Sequence, residues 1–178
     1  MKTLKRIIHL IPLMLFWLMM TVFFWSWIFT FLTDAPREEK IVLFVECAVP
    51  GDTYIASKLE ELPSETIRLV QVRPFSYSMM TSESIRNSDM YIVSESGFEE
   101  YIEWFMPLPE NAHSLGEIFL FENTPYGIKV FDANKQSGLL SEFIGYEDQN
   151  YFLVFGKESV HIESGEALSY ARRLLTIR

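Results

Sequence analysis

Between Arg6 and Asp34 the chain carries no charged side chain, and this limits its possible folds more than any other feature. Residues 7–32, IIHLIPLMLFWLMMTVFFWSWIFTFL, would outreach the roughly 30 Å hydrocarbon core of a bilayer at about 1.5 Å per helical residue. A cleavable signal peptide has an apolar core of about 7–15 residues and a small-x-small cleavage site. This run is longer and closes on Phe31-Leu32-Thr33-Asp34, so an uncleaved signal anchor is expected over residues 1–33. Lys2, Lys5 and Arg6 precede the span and the next cation is Arg37. The positive-inside rule then sets the N-terminus in the cytoplasm and the rest of the chain outside, as a single-pass protein of the cell membrane. Trp25 and Trp27 fall toward the outer interface, where amphipathic rings are favoured. His9 and Pro12 sit near the inner end and carry no evident role.

Past the span, residues 34–178 hold 24 acidic and 12 basic side chains, a net charge of −12. Such a surface repels nucleic acid and anionic headgroups, so neither is expected as a partner. About 140 residues suit one domain. Cys47 is the only cysteine, which excludes an internal disulfide and a thiolate metal cluster. Within KIVLFVECAV it reads as a small buried hydrophobe.

A short polar linker, residues 34–40, leads to a domain spanning 41–178. IVLFVECAV is a continuous apolar run suited to a strand buried on both faces. Pro50-Gly51-Asp52 breaks it, Asp52 or Thr53 can cap a helix over TYIASKLEEL, and Pro63 ends that helix. TIRLVQVRPF reads as a second strand, SYSMMTSESIRNS as a short helix, DMYIVS as a third strand and GFEEYIEWF as a third helix. Strand and helix in strict alternation predict an open α/β domain with a mostly parallel sheet and flanking helices. Beyond Pro107 and Pro109 the rhythm changes. EIFLFENTPYGIKVFDA holds two short runs that either pair as a hairpin or lie apart, and SGLLSEFI reads as one or two helical turns. NYFLVFG is a further strand. SGEALSYARRLLTI is a C-terminal helix with Ala167, Leu168, Ala171, Leu174 and Leu175 inward.

NYFLVFGKESVHIESGEALSYARRLL resembles the strand-then-helix segment of extracellular solute-binding proteins of ABC transporters. SDMYIVSES and KIVLFVECAVPGDTYIASKLEEL are similar to strands and a helix of their first lobe. The resemblance implies one lobe of a periplasmic-binding-protein fold. It departs from the family at residues 107–149, which are too few for a second lobe. Clamshell capture of a solute needs two lobes, so a one-lobe domain would either bind a ligand weakly or bind another protein across the sheet end that normally faces the second lobe.

In open α/β sheets ligands bind outside the carboxyl ends of strands, near the point where strand order reverses. That rule nominates Pro50, Gly51, Asp52, Thr53 and Tyr54 after the first strand. It also nominates Ser76 and Tyr77 after the second, and Ser94, Glu95 and Ser96 after the third. Hydroxyls, phenols and acids suit a small polar solute. The plainer expectation is that Thr53 and Ser96 cap helices and that Tyr54 and Tyr77 pack. No G-x-S-x-G elbow surrounds the serines, and His113 and His161 lack ligand spacing to another His, Cys or acid pair. Glu99, Glu100 and Glu103 read as a solvated helix face, and GYEDQN has too few oxygen ligands for calcium. No cofactor, metal or enzymatic constellation is therefore expected. The expected function is a membrane-anchored module that recognises a small polar solute or a partner protein, the alternative being a structural accessory subunit of a membrane complex.

Overall fold

The computed structural model describes residues 2–76, 78 and 82–177. It divides into two compact units, Met1–Ala35 and Pro36–Arg178. The first is a single helix, α1 (Lys2–Thr33). Its stretch Ile11–Thr30 has a mean hydropathy of 1.8 and is long and apolar enough to cross a membrane. Trp17, Phe23, Trp27 and Phe29 all stand exposed on it. Two of its hydroxyls are turned back onto the helix, Thr21 Oγ1 donating to the Trp17 carbonyl at 2.8 Å and Thr30 Oγ1 to the Ser26 carbonyl at 2.9 Å. That pairing is what hydrocarbon demands of a polar atom.

The second unit is one open mixed sheet with helices on both faces. Its elements are β1 (Lys40–Val45), α2 (Asp52–Glu60), β2 (Leu69–Pro74), α3 (Glu83–Arg86), β3 (Met90–Ser94), α4 (Glu95–Glu100) and β4 (Phe105–Met106). There follow β5 (Ile118–Phe121), β6 (Thr124–Asp132), β7 (Ser137–Gly138), β8 (Tyr151–Gly156) and α5 (Glu166–Leu174). Strands run in the order β2-β1-β3-β8-β6-β5, with β4 paired to β8 and β7 to β6.

β1 lies parallel to β2 and to β3, as the alternating pattern predicts. Every pairing beyond β3 is antiparallel, including β3 with β8 and β8 with β6. The expected mostly parallel sheet is therefore corrected to a mixed one. The cause is the stretch between β3 and β8: it supplies β4 and a hairpin in place of a helical crossover, and only a crossover returns the chain in the parallel sense.

Alternation along the central strands divides the core. Ile41, Leu43, Met90, Ile92, Leu153 and Phe155 face α2 and α5, while Phe44, Tyr91, Val93, Phe152 and Val154 face α3 and α4. All five residues of β3 and all six of β8 are buried, which explains their unbroken apolar sequences. α5 buries Ala167, Leu168, Ala171 and Leu174 as the spacing predicts, and Tyr170 as well.

β5 and β6 form the hairpin. Its turn is Glu122-Asn123, with φ of 47° and 65°, a two-residue loop with both central residues left-handed. SGLLSEFI is not helical: Ser137 and Gly138 form β7 and the rest is a chain of turns. The expected helix over residues 97–105 is instead α4 from Glu95, then a 3-10 turn at Ile102–Trp104, then β4.

Candidate functional site

Strand order reverses between β1 and β3, so the crevice nominated by the sheet lies between Val45 and Ser94. The turns that flank it carry most of the nominated residues, and the chain itself occupies the crevice. Glu46, one residue beyond β1, accepts hydrogen bonds from the Ser94 backbone N–H and, at 2.8 Å, from Ser94 Oγ. Ser94 Oγ in turn accepts from the Gly97 N–H at 3.1 Å, which makes Ser94 the N-cap of α4.

The expected cap at Ser96 is thus displaced by two residues. Because β3 runs directly into α4, the last strand residue is the one whose extended backbone aims its side chain at the helix. Ser96 Oγ donates to Gln149 at 3.1 Å, and Glu95 accepts from Asn150 Nδ2 at 3.0 Å. Thr53 is not a cap either. Gly51 holds that position without a side-chain bond, and Thr53 donates from its N–H and Oγ1 to Asp52 Oδ1 at 2.6 and 2.9 Å.

Residues 139–150 pack against one side of the turn at Pro50–Tyr54, of which Pro50, Thr53 and Tyr54 stay exposed. Gly51 N–H donates to the Phe143 carbonyl at 3.1 Å, and a Cβ at Gly51 would fall 2.6 Å from that of Phe143. Tyr54 stacks on the Phe143 ring at 4.5 Å, with Lys58 Nζ 5.9 Å from its centroid. Gly145 N–H closes the seam on the Ala48 carbonyl at 2.8 Å. Tyr54 thus rests on the Phe143 ring while remaining 40 % exposed. Ser76, past β2, is exposed and bonds Ser78 at 2.8 Å. Tyr77 lies outside the described residues. The structure therefore brings Ser94, Glu95 and Ser96 together with Glu46, Gln149 and Asn150, and leaves Ser76 apart. Cys47 is buried beside this cluster. Desolvation, reinforced by the charges of Glu46 and Glu147, pushes its thiol up to about 12, which makes it a poor nucleophile.

A second polar centre lies at the other end of β3 and escapes sequence reasoning. Asp89 and His161 are 2 % and 4 % exposed. His161 Nδ1 meets Asp89 Oδ1 at 2.8 Å and Nε2 meets the Glu38 carbonyl at 3.2 Å. Both ring nitrogens face acceptors, which favours the imidazolium. Burial is the largest single influence on its pKa and pulls it down. The hydrogen bond and charge of Asp89, with the Glu38 carbonyl and Glu166, outweigh burial and leave it raised above the usual 6.5. Ser159 Oγ donates to Asp89 at 2.6 Å, and the Val42 N–H donates to it at 2.9 Å. Because the serine bonds the acid and not the ring, the trio is a buried ion pair with its acceptors filled. The signal for it is a 72-residue separation that no local spacing reveals.

Beside that end opens a cleft of about 490 Å³ lined by Arg86, Glu103, Trp104, Lys157 and Glu158. Arg86 stands 5.7 Å from the Trp104 ring and 3.3 Å from Glu158 Oε1. An adjoining hollow of about 310 Å³ is lined by Phe105, Met106, Pro107 and Tyr126 among others. Among the described residues no group of three or more His, Cys, Asp or Glu side chains is disposed to hold a metal ion. Comparisons with protein-family models, with curated proteins and with solved structures find no match.

Proposed function

We propose that this chain is a membrane-anchored, extracytoplasmic interaction module, similar to a single lobe of a solute-binding protein, whose target is a partner protein. The observation that carries the reading is the filled crevice. Glu46 takes up the polar groups of Ser94, and residues 139–150 bond Ser96, Glu95 and the Gly51 N–H. A solute entering there would have to displace Glu46 from the buried Ser94, at a cost of about 1 kcal/mol or more for leaving that group unpaired. A helix of membrane-spanning length keeps the module at a bilayer, where its partners would be other membrane or surface proteins.

Photo-crosslinking of the full-length chain in intact membranes tests this, with a photoreactive residue placed in turn at Tyr54, Trp104 and Leu120. Adducts to one discrete protein are expected from at least one position. Absence of adducts from all three would sink the reading.

A second reading is favoured by the Arg86–Lys157 cleft, where two cations, two acids and an indole surround one space. That lining suits a small zwitterion, with its anion on Arg86 or Lys157 and its cation against Trp104 and Glu103. A thermal-shift series with amino acids and other zwitterions would support it if Tm rises with dose and Trp104→Ala removes the rise.

A further inference from the structure

β5 closes one side of the sheet, and its outer edge has no partner among the described residues. Its direction of bonding follows from the hairpin. A two-residue turn makes Phe121 and Thr124 a mutually bonded pair, so along β5 residues 119 and 121 point their backbone groups inward to β6. The Lys129 N–H donates to the Glu117 carbonyl at 2.8 Å, in keeping with that alternation.

The N–H and C=O groups of Ile118 and Leu120 therefore point outward. Pro125, which has no N–H to give, stands opposite Leu120 as this pattern requires. The register shift near Phe119 and Leu120 places the extra residue, Tyr126, on β6, so β5 keeps its own alternation. No backbone group from elsewhere in the described chain bonds Ile118 or Leu120. The strand, Ile-Phe-Leu-Phe, has neither lysine nor proline to guard its edge, and Leu120 is 59 % exposed.

The charges around it select the occupant. Glu117 and Glu122 bracket the strand, and a cavity of about 240 Å³ along it is lined by Glu95, Glu117 and Lys129 together with Phe119 and Phe152. Glu117 and Lys129 pair at 3.0 Å, which leaves the acids in excess. A second copy fits poorly. It would bring a second domain of net charge −12, with the same Glu95, Glu117 and Glu122, to this edge, and like charge opposes association.

We propose that β5 is a docking edge for an extended segment of a partner protein, which adds a strand to the sheet through Ile118 and Leu120 and carries Lys or Arg at its flanks. Alternate apolar side chains of that segment cover Leu120, and a basic one enters the cavity beside Glu95 and Glu117. The inference rests on the protein-partner reading above and deepens it.

The test uses the full-length chain in nanodiscs and two labelled peptides of alternating valine and threonine, one flanked by lysines and the other by glutamates. The lysine peptide is expected to bind at least tenfold more tightly. It should slow amide exchange at Ile118 and Leu120 and leave Phe119 unchanged. Leu120→Pro removes an outward N–H that the fold does not use, so unfolding should stay cooperative while peptide affinity falls at least tenfold. Leu120→Lys keeps that N–H and opposes the cationic peptide, and it should also weaken binding at least tenfold even if the proline variant fails to fold.

Equal affinity for the two peptides, or binding unaltered in a cooperatively folded variant, overturns the proposal. So does dimerisation of the chain through β5 that Leu120→Pro abolishes. Crosslinks in membranes from Trp104 or Tyr54 with none from Leu120 would retain a protein partner and remove this edge as its seat.

Discussion

At the scale of single residues, the strongest consequences belong to the Asp89–His161 pair. Removing one partner of a buried, hydrogen-bonded ion pair strands the other, so Asp89→Asn or His161→Ala should lower unfolding free energy by about 3–5 kcal/mol in a urea titration. The pair also sets a pH dependence. His161 has a folded pKa above its unfolded value near 6.5, so its contribution is complete below about pH 6.5 and is lost as pH rises through the folded pKa. Urea midpoints should therefore fall on going from mildly acidic to alkaline buffer, and His161→Gln should flatten that slope. Gly156 is fixed for a steric reason: an added Cβ would lie 2.1 Å from the Ser88 carbonyl oxygen. Gly156→Ala should cost roughly 1–3 kcal/mol, as overpacking does elsewhere, and a thermal melt would register it. None of these was legible in the sequence. Each depends on atoms brought together from distant positions, and neither an aspartate before a strand nor a glycine after one announces its partner.

At the scale of elements, legibility follows how local the cause is. β1, β3 and β8 were readable because burial on both faces leaves an unbroken apolar signature. α5 was readable from its one-sided spacing. The sequence leaves the hairpin open because its turn, Glu122-Asn123, falls at the leading end of Asn123-Thr124-Pro125-Tyr126-Gly127, whose proline and glycine invite a turn further on. Ser94 and Ser96 were both nominated, and only the backbone path from β3 into α4 decides between them. Ser94→Ala removes the cap of α4 and the hydroxyl bonded to Glu46, and should cost about 1–2 kcal/mol. Ser96→Ala should cost less than about 0.5 kcal/mol, since its hydroxyl makes a long 3.3 Å contact with Ser94 Oγ and a solvent-exposed bond to Gln149. Parallel chemical denaturation of the two variants would separate them, and equal losses would contradict the assignment of the cap.

At the scale of the whole molecule, α1 and the acidic sheet domain make different demands of solvent. The full chain should remain with membranes through carbonate and high-salt washes and enter solution only with detergent. Partition into the aqueous fraction by salt alone would show that α1 does not span. The α/β class and the two-sided cover of helices followed from the alternation of strand and helix patterns. Strand direction past β3 did not, because it depends on the route taken by residues 107–150, which carry little periodicity.

That route has a consequence in time. β8 holds residues 151–156, yet it lies between β3 and β6 in the middle of the sheet. Until it emerges during synthesis, β3 and β6 keep unpaired inner edges, and the parallel strands meet the hairpin through contacts such as Phe98 with Phe119, Phe121 and Tyr126. The pairing of Met90 with Phe155 joins positions 155 − 90 = 65 residues apart, and contacts so distant in sequence slow folding. The sheet is thus completed at its centre by its last strand, and an arrested chain ending before Tyr151 would leave the apolar edges of β3 and β6 open.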